Sequence, residues 1–180
     1  MLVTYKQLRN IVEAGIVRGG TVDHVNGSSI DVHLANHFMV EAKDWGTAAV
    51  IDVEKRERLG FHDVTVGAGH YYSMPPGQFI LASTVETFYL PEHLSALFVM
   101  KSSVARCGLD QMNAAWCSPG WTGSALTLEL SNITEHHTLL LRPGVAIGQM
   151  LFFQGDTVPQ EFSYKKTGAF NHQTKAAPAS

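Results

Sequence analysis

Most of this chain is divided into short segments of alternating apolar and polar residues separated by turn residues, a pattern typical of β-strands. Only residues 5–14 space their apolar side chains as a helix does, with Thr4 as the expected N-cap and Gly15 as the stop. Strands are predicted at residues 30–34, 48–53, 62–66, 77–84, 88–90, 97–100, 124–130, 138–141 and 145–153. The sequence therefore predicts a mainly β protein, a barrel or sandwich with one short N-terminal helix.

The length of 180 residues allows one domain with a sizeable core. We expect residues 1–155 to form this single β domain. The composition turns polar after it, so residues 156–180 are expected to form a mobile C-terminal tail.

Charge and hydropathy limit the classes of partner. A formal charge of −3 argues against a nucleic-acid partner. No apolar run approaches the roughly 20 residues that span a bilayer, so no membrane partner is expected. The two cysteines, Cys107 and Cys117, give no disulfide framework, and no secretory signal opens the chain. These features predict a cytoplasmic protein.

Residues 101–106, with the sequence Lys-Ser-Ser-Val-Ala-Arg, concentrate positive charge and hydroxyl groups. The two serine hydroxyls supply directed donors, and the Arg106 guanidinium adds a planar fork, a combination that suits a polyphosphate. The alternative is structural, because serines also cap backbone amides at a turn or at a helix N-terminus. Spacing alone does not separate the two interpretations.

Glu129 is the second candidate, a lone carboxylate in an apolar segment. Its neighbours Leu128 and Leu130 indicate a strand inside a sheet, where desolvation raises the pKa of a carboxyl. A raised pKa suits a group that takes and gives protons near neutral pH. The alternative is that Glu129 lies on a solvated strand face together with Thr127 and Ser131.

Other catalytic signatures are absent from the sequence. The nine histidines are scattered, and no His-x-Glu is followed by Pro-Cys-x-x-Cys, which argues against a zinc-dependent nucleoside deaminase. No phosphate loop, dinucleotide fingerprint or Gly-x-Ser-x-Gly elbow is present. We therefore expect no zinc and no metal ligand from the side chains.

Five segments of the sequence, in order, resemble the dCTP deaminase branch of the dUTPase superfamily. The segments are residues 26–34 around an Asp-x-x-Leu, Leu90-Pro91, residues 101–109 ("RSSxARxGL" in the family), residues 119–132 ("PGxxG…LELxN") and residues 142–149 ("RPGxxIGQ"). They cover most of the chain. The resemblance implies the family fold, a dUTPase-like jelly roll or distorted β-barrel.

The resemblance also implies hydrolytic deamination of a cytosine deoxynucleotide, dCTP to dUTP and ammonia, by chemistry that needs no metal. Glu129 matches the family's catalytic glutamate, which takes a proton from the water that attacks C4 and delivers protons to N3 and the leaving amine. Ser102 and Arg106 match the residues that orient the water and the glutamate.

A nucleotide-binding set is implied around these three catalytic residues. Lys101 and Ser103 would hold the phosphates, with Mg²⁺ bridging phosphate oxygens. Gln173 would read the base edge once the tail closes over the active site. The other implied contacts are Val104, Ala105, Ala114, Ser118, Thr127, Leu128 and Tyr164. The family is usually a homotrimer with active sites between subunits, which implies the same assembly here.

Three departures from the family pattern bear on the substrate. Ser118 stands where the family has an aspartate for the deoxyribose 3′-hydroxyl, and Ala169 and Phe170 replace a lysine and a tyrosine of the tail. These changes fit a 5-substituted dCTP or a monophosphate such as dCMP at least as well as dCTP.

The same departures leave two alternatives to a deaminase. A dUTPase-like pyrophosphatase, alone or combined with deamination, is one of them. Simple dUTPases, however, lack a glutamate at the position of Glu129 and rely on the missing aspartate. The other is a nucleotide-binding regulatory protein without turnover, against which the retention of Ser102, Arg106 and Glu129 argues.

Overall fold

The computed structural model describes residues 1–42, 50–55 and 59–178. Its helices are α1 (Tyr5–Glu13), α2 (Ser102–Ala105) and α3 (Tyr164–Thr167), with short 3₁₀ helices at Val22–His24 and Gln160–Phe162. Its strands are β1 (Val17–Arg18), β2 (Ile30–His33), β3 (His37–Glu41), β4 (Phe61–Thr65), β5 (Tyr72–Met74), β6 (Phe79–Tyr89), β7 (Leu94–Met100), β8 (Leu109–Gln111), β9 (Trp116–Cys117), β10 (Thr122–Asn132), β11 (Leu139–Leu141) and β12 (Ala146–Gln154). The predicted mainly β fold with one N-terminal helix is confirmed.

Two antiparallel sheets form the body of the protein. The larger has the order β4-β3-β6-β10-β8, with β1 also paired to β6, and the second has the order β2-β12-β7-β9. A short β11-β5 ladder completes the pairing. A single buried cluster joins Phe38, Leu128 and Phe152 of the two sheets with Leu8 of α1. Burial of this cluster is the main driving force for the fold.

The structure differs from the sequence prediction at several strands. Predicted strands 77–84 and 88–90 are joined in the single strand β6. Residues 84–86 of β6 lie opposite the single residue Leu126 of β10, so the interruption between the two predicted strands is a β-bulge and not a turn. Of predicted strand 48–53, residues 48 and 49 lie outside the described residues, and residues 50–53 form no strand. The unpredicted β3 pairs with both β4 and β6.

Alternation along β10 sets the position of the candidate site. Leu128 and Leu130 are fully buried, whereas Thr127 and Glu129 point to the opposite face of the sheet. Glu129 stands opposite Leu81 of β6 in the strand register. The carboxylate therefore projects from the interior of the larger sheet, on its outer face.

The C-terminal tail packs along the start of β10. The Trp121 indole donates to the Phe170 carbonyl at 2.9 Å, and the Ala125 amide donates to the Gln173 carbonyl at 2.7 Å. Ser163 and Ala176 are buried. The tail thereby covers the outer face near Glu129. In the described part of the chain, no helix has the length and apolar character that crossing a membrane requires.

Candidate active site

A cleft of about 430 Å³ opens on the outer face of the larger sheet, next to Glu129. This volume lies in the range of small-molecule sites. Its walls are mainly apolar, and its polar side chains include Thr127, Glu129 and Gln173. The apolar walls comprise Ile51, Leu59, Phe61, Phe79, Leu81, Trp121, Ala125, Leu126, Phe170, Ala177 and Pro178, with the Cys117 thiol beside them. The tail supplies one wall, so the cleft depends on the tail being docked.

The Glu129 carboxyl is half-buried in this cleft. Its burial raises the pKa of Glu129, while a hydrogen bond from the Gln111 amide, 3.0 Å from Oε2, acts in the opposite direction. Because the face is partly covered, the carboxyl lies neither in the core nor in free solvent. The sequence allowed a desolvated position within the sheet or a solvated strand face, and the structure shows a position between the two. A carboxyl of raised pKa in a cleft is suited to move protons at near-neutral pH.

Gln111 is a site residue that the sequence did not reveal. It ends β8, which pairs with β10 so that Gln111 lies opposite Leu130, next to Glu129. A glutamine in a Leu-Asp-Gln segment carries no motif. Only the pairing of these two strands, which are not consecutive in the chain, shows the contact.

Among the residues that the structure describes, two buried hydroxyls of the larger sheet have no hydrogen-bond partner. Thr127 lines the cleft, and Ser83 lies opposite it in the register of β6 and β10. Their hydroxyl oxygens are buried and unpaired. Since buried polar groups in native proteins normally have partners, the Thr127 hydroxyl is a candidate to bond a ligand in the cleft, whereas Ser83 does not line it.

The cluster at residues 101–106 lies outside the cleft of its own chain. It forms the single turn α2, and no side-chain cap hydrogen bond is made at its N-terminus, so the serines do not serve as caps there. Ser102, Ser103 and Arg106 are exposed. The Lys101 ammonium is 2.5 Å from Asp31 Oδ2, so its charge is paired within the chain.

The side chains of the remaining predicted residues do not line the cleft of their own chain. Leu128 is fully buried, so only its backbone is available to a ligand. Ser118 lies in the turn that precedes β10, where its carbonyl accepts from the Trp121 amide. Burial raises the pKa of the Tyr164 phenol, and the Tyr164 amide donates to Pro119. Ala105 and Ala114 are exposed, and Val104 packs on the core.

A family model described as dCTP deaminase-like matches residues 2–155. The chain belongs to this family. Its mainly β fold and the five ordered segments agree with that assignment, so the family predicted from the sequence is confirmed.

Curated relatives carry two related names. The dCTP deaminase of Herpetosiphon aurantiacus is 32% identical over 161 residues, which is 89% of this chain and 83% of the relative. The "dCTP deaminase, dUMP-forming" of Corynebacterium glutamicum strain R is 33% identical over 167 residues, 91% of this chain and 86% of the relative. Both similarities extend over nearly the whole length of the chain.

A solved structure supports the fold. The 2′-deoxycytidine 5′-triphosphate deaminase of Agrobacterium tumefaciens superposes with a TM-score of 0.66 at 23% identity over 86% of this chain. The match spans about half the length of that protein, 48%.

Proposed function

We propose that this protein catalyses the hydrolytic deamination of dCTP, in which dCTP and water give dUTP and ammonia. The observation that carries the proposal is the Glu129 carboxyl, whose pKa is raised by burial, in a cleft of suitable size. Two relatives that are each more than 30% identical are named dCTP deaminases, which supports the same substrate here. Measurement of ammonia released from dCTP tests the proposal.

Glu129 acts as the base and then as the acid. Ionised Glu129 takes a proton from the water whose oxygen attacks C4, and a tetrahedral carbon forms. The protonated carboxyl delivers this proton to N3. It then takes the proton of the C4 hydroxyl and passes it to the amino group, so the C4–N bond breaks, the C4 carbonyl forms and ammonia is released. The raised pKa makes both transfers favourable in one cycle. Apolar walls limit bulk water around the reacting atoms.

We propose that a second copy of the chain completes the site. The turn α2 carries the catalytic residues Ser102 and Arg106 and the phosphate-binding residue Ser103, but within one chain it does not line the cleft that holds Glu129. Because Lys101 is paired with Asp31, Arg106 supplies most of the net charge for the phosphates. A neighbouring subunit that places its α2 over this cleft would bring the two groups together.

An exposed apolar surface supports assembly as a homotrimer. On the outer face of the second sheet, Trp116 is 57% exposed and Val99 is 40% exposed. The Trp116 ring lies 6.0 Å from that of Phe153 on the same face. Apolar surface of this kind is typical of subunit interfaces. A closed trimer contains three copies of this patch, one from each subunit, and would bury all of them.

Mg²⁺ is proposed as a partner of the substrate phosphates. The exposed groups of α2 are hydroxyls and a guanidinium, which suit phosphate oxygens and are not magnesium ligands of the carboxylate type. Bound through the phosphates, the ion would neutralise part of their charge.

The tail is proposed to close the base end of the site. Backbone bonds from Ala125 to the Gln173 carbonyl and from the Gln173 amide to Ser124 Oγ, 2.7 and 3.2 Å, hold Gln173 at the cleft. Its side-chain amide offers both a donor and an acceptor to the base edge. The unpaired Thr127 hydroxyl adds a further contact. Release of the tail would admit the nucleotide.

Mixed subunits test whether the site is shared. Arg106→Ala and Glu129→Gln proteins are each expected to be inactive. When the two variants are dissociated, mixed in equal amounts and reassembled, the trimers should regain roughly one quarter of the wild-type activity. A site is intact only when one subunit supplies an unaltered Arg106 and its neighbour supplies an unaltered Glu129, and each condition is met in about half of the subunits. Ammonia release from the reassembled mixture measures this. A mixture as inactive as its parents would place both residues in one subunit.

Replacement of Gln111 by methionine is expected to move the acid side of the pH–rate profile to higher pH. The Gln111 amide stabilises ionised Glu129, so its loss raises the pKa of Glu129 further, and the active ionised form disappears sooner as pH falls. The pH dependence of kcat/KM for ammonia release measures the shift. Gln78→Met, which removes a hydrogen bond to Tyr72 instead, is the matched control and should leave the profile in place.

A bifunctional enzyme is the second candidate. The observation in its favour is the 33% identity to a relative whose name includes "dUMP-forming". Such an enzyme would also hydrolyse the triphosphate and release pyrophosphate. Ammonia and pyrophosphate measured separately from the same reaction distinguish the two candidates.

A further inference from the structure

Two histidines and a glutamate from three separate segments meet on the side of β6 near α1. His24 ends the 3₁₀ helix Val22–His24, His33 ends β2, and Glu86 lies within β6. One ligand atom from each residue lies within 4.8 Å of those of the other two. The His24 and His33 rings are 4.3 Å apart between centroids. None of the three lines the cleft that holds Glu129.

Glu86 is a fully buried carboxylate whose hydrogen-bond partners both belong to His33. Its Oε2 accepts from the His33 backbone amide at 2.9 Å, and its Oε1 lies 2.7 Å from His33 Nδ1. A carboxylate removed from water requires a compensating positive charge. Both of these contacts come from His33, so a cation bound in the cluster would supply this charge.

His24 adds a second imidazole whose geometry is partly fixed. Its Nδ1 faces the Thr21 amide at 3.4 Å, as the acceptor of a capping box, which leaves Nε2 for another partner. A cation bound by both imidazole rings and Glu86 would supply the positive charge that the buried carboxylate needs.

We propose that His24, His33 and Glu86 form a binding site for a divalent transition-metal ion such as Zn²⁺. Two imidazole nitrogens and one carboxylate oxygen are the donors that Zn²⁺ accepts, with a fourth position for water. The ion takes the place of the proton between Glu86 Oε1 and His33 Nδ1, and that proton is released to solvent. With zinc–ligand bonds of about 2.0–2.2 Å, two ligand atoms on a tetrahedral ion lie roughly 3.3–3.5 Å apart. The Glu86 and His33 atoms, now 2.7 Å apart, would therefore separate slightly, and the loop that carries His24 would close on them.

The site would act as a clamp and take no part in the deamination. It joins the loop of His24 to β2 and β6, which belong to different sheets. Sequence patterns did not predict this cluster, because His24 and Glu86 are far apart along the chain and no metal-ligand spacing connects them. The expectation of no zinc rested on the missing deaminase motif and did not address this cluster.

Metal titration of the full-length protein tests the proposal. After treatment with a chelator and its removal, we expect saturable binding of one Zn²⁺ or Co²⁺ per chain at this site. The bound Co²⁺ should show visible absorption typical of nitrogen and oxygen ligation. At a hundredfold excess of Zn²⁺ over its Kd, the Tm should rise by about 5–10 °C. Mg²⁺, which prefers oxygen ligands, should give no such rise.

The variant His24→Ala keeps the His33–Glu86 pair and is expected to remove the Zn²⁺-dependent rise in Tm. His136→Ala alters an exposed histidine elsewhere and should retain the full rise. Absence of saturable binding by the wild type, or an equal rise in His24→Ala, overturns the proposal. Because binding and Tm are measured without nucleotide, failure here is independent of the outcome for deamination.

Discussion

Glu129→Gln is expected to lower the rate of ammonia release from dCTP by about 10²–10⁴-fold, the usual contribution of a general acid–base group. The amide of glutamine matches the carboxyl in shape but cannot take a proton from water. Its Oε1 can still accept from Gln111, which in the wild type lies 3.0 Å away. The cleft and its affinity for nucleotide should therefore remain. Steady-state ammonia release and a separate dCTP binding titration measure the two effects.

Glu135→Gln provides the control for charge loss alone. Glu135 lies in a loop with its side chain 87% exposed, so its replacement removes the same charge without touching the cleft. Its activity should equal that of the wild type. Ammonia release that survives in Glu129→Gln would remove Glu129 from the chemistry.

Gly120→Ala is expected to reduce activity by about 100-fold, because it displaces the tail that walls the cleft. Gly120 has a φ of +86°, and an added Cβ would lie 2.2 Å from Ser163 Oγ and 3.1 Å from the Tyr164 amide nitrogen. The second contact is with backbone, so the tail itself must move. A displacement near 1 Å at a positioned site costs on the order of 10² in rate. Ammonia release and hydrogen exchange of residues 163–173 measure the loss of activity and the release of the tail.

Gly144→Ala separates this effect from backbone strain. Gly144 has a φ of +84°, and an added Cβ would meet nothing within 4 Å. Both variants should lose about 1–2 kcal/mol of stability, because alanine is strained in the left-handed conformation. Gly144→Ala should nevertheless keep a docked tail and near-normal activity. Equal activity in the two variants would show that the tail contact at Gly120 is dispensable.

Local sequence patterns predicted the parts of this fold that local physics determines. Alternation of apolar and polar residues identified β2, β10 and β12, because one face of each strand is buried. It divided β6 in two, because a bulge within a strand and a turn between strands look alike in sequence. It overlooked β3, which owes its place to two neighbouring strands from distant parts of the chain.

The candidate site likewise combines residues that the local sequence predicts with residues that only the pairing of strands reveals. Glu129 was found from a charge in an apolar segment, and its raised pKa follows from the burial that this segment implies. The partner Gln111 and the unpaired Thr127 hydroxyl depend on strand pairing, which short motifs do not encode. The separation of α2 from the cleft of its own chain is also visible only in three dimensions.

The central claim is that this chain deaminates dCTP, and the release of ammonia from the wild-type protein tests it most directly. The protein with Mg²⁺ is offered dCTP, 5-methyl-dCTP, dCMP and dUTP in turn, and ammonia and pyrophosphate are measured separately. We expect ammonia from dCTP at a rate that depends on Glu129. Nucleotide binding without ammonia from any cytosine nucleotide, or pyrophosphate from dUTP as the sole activity, would contradict the account.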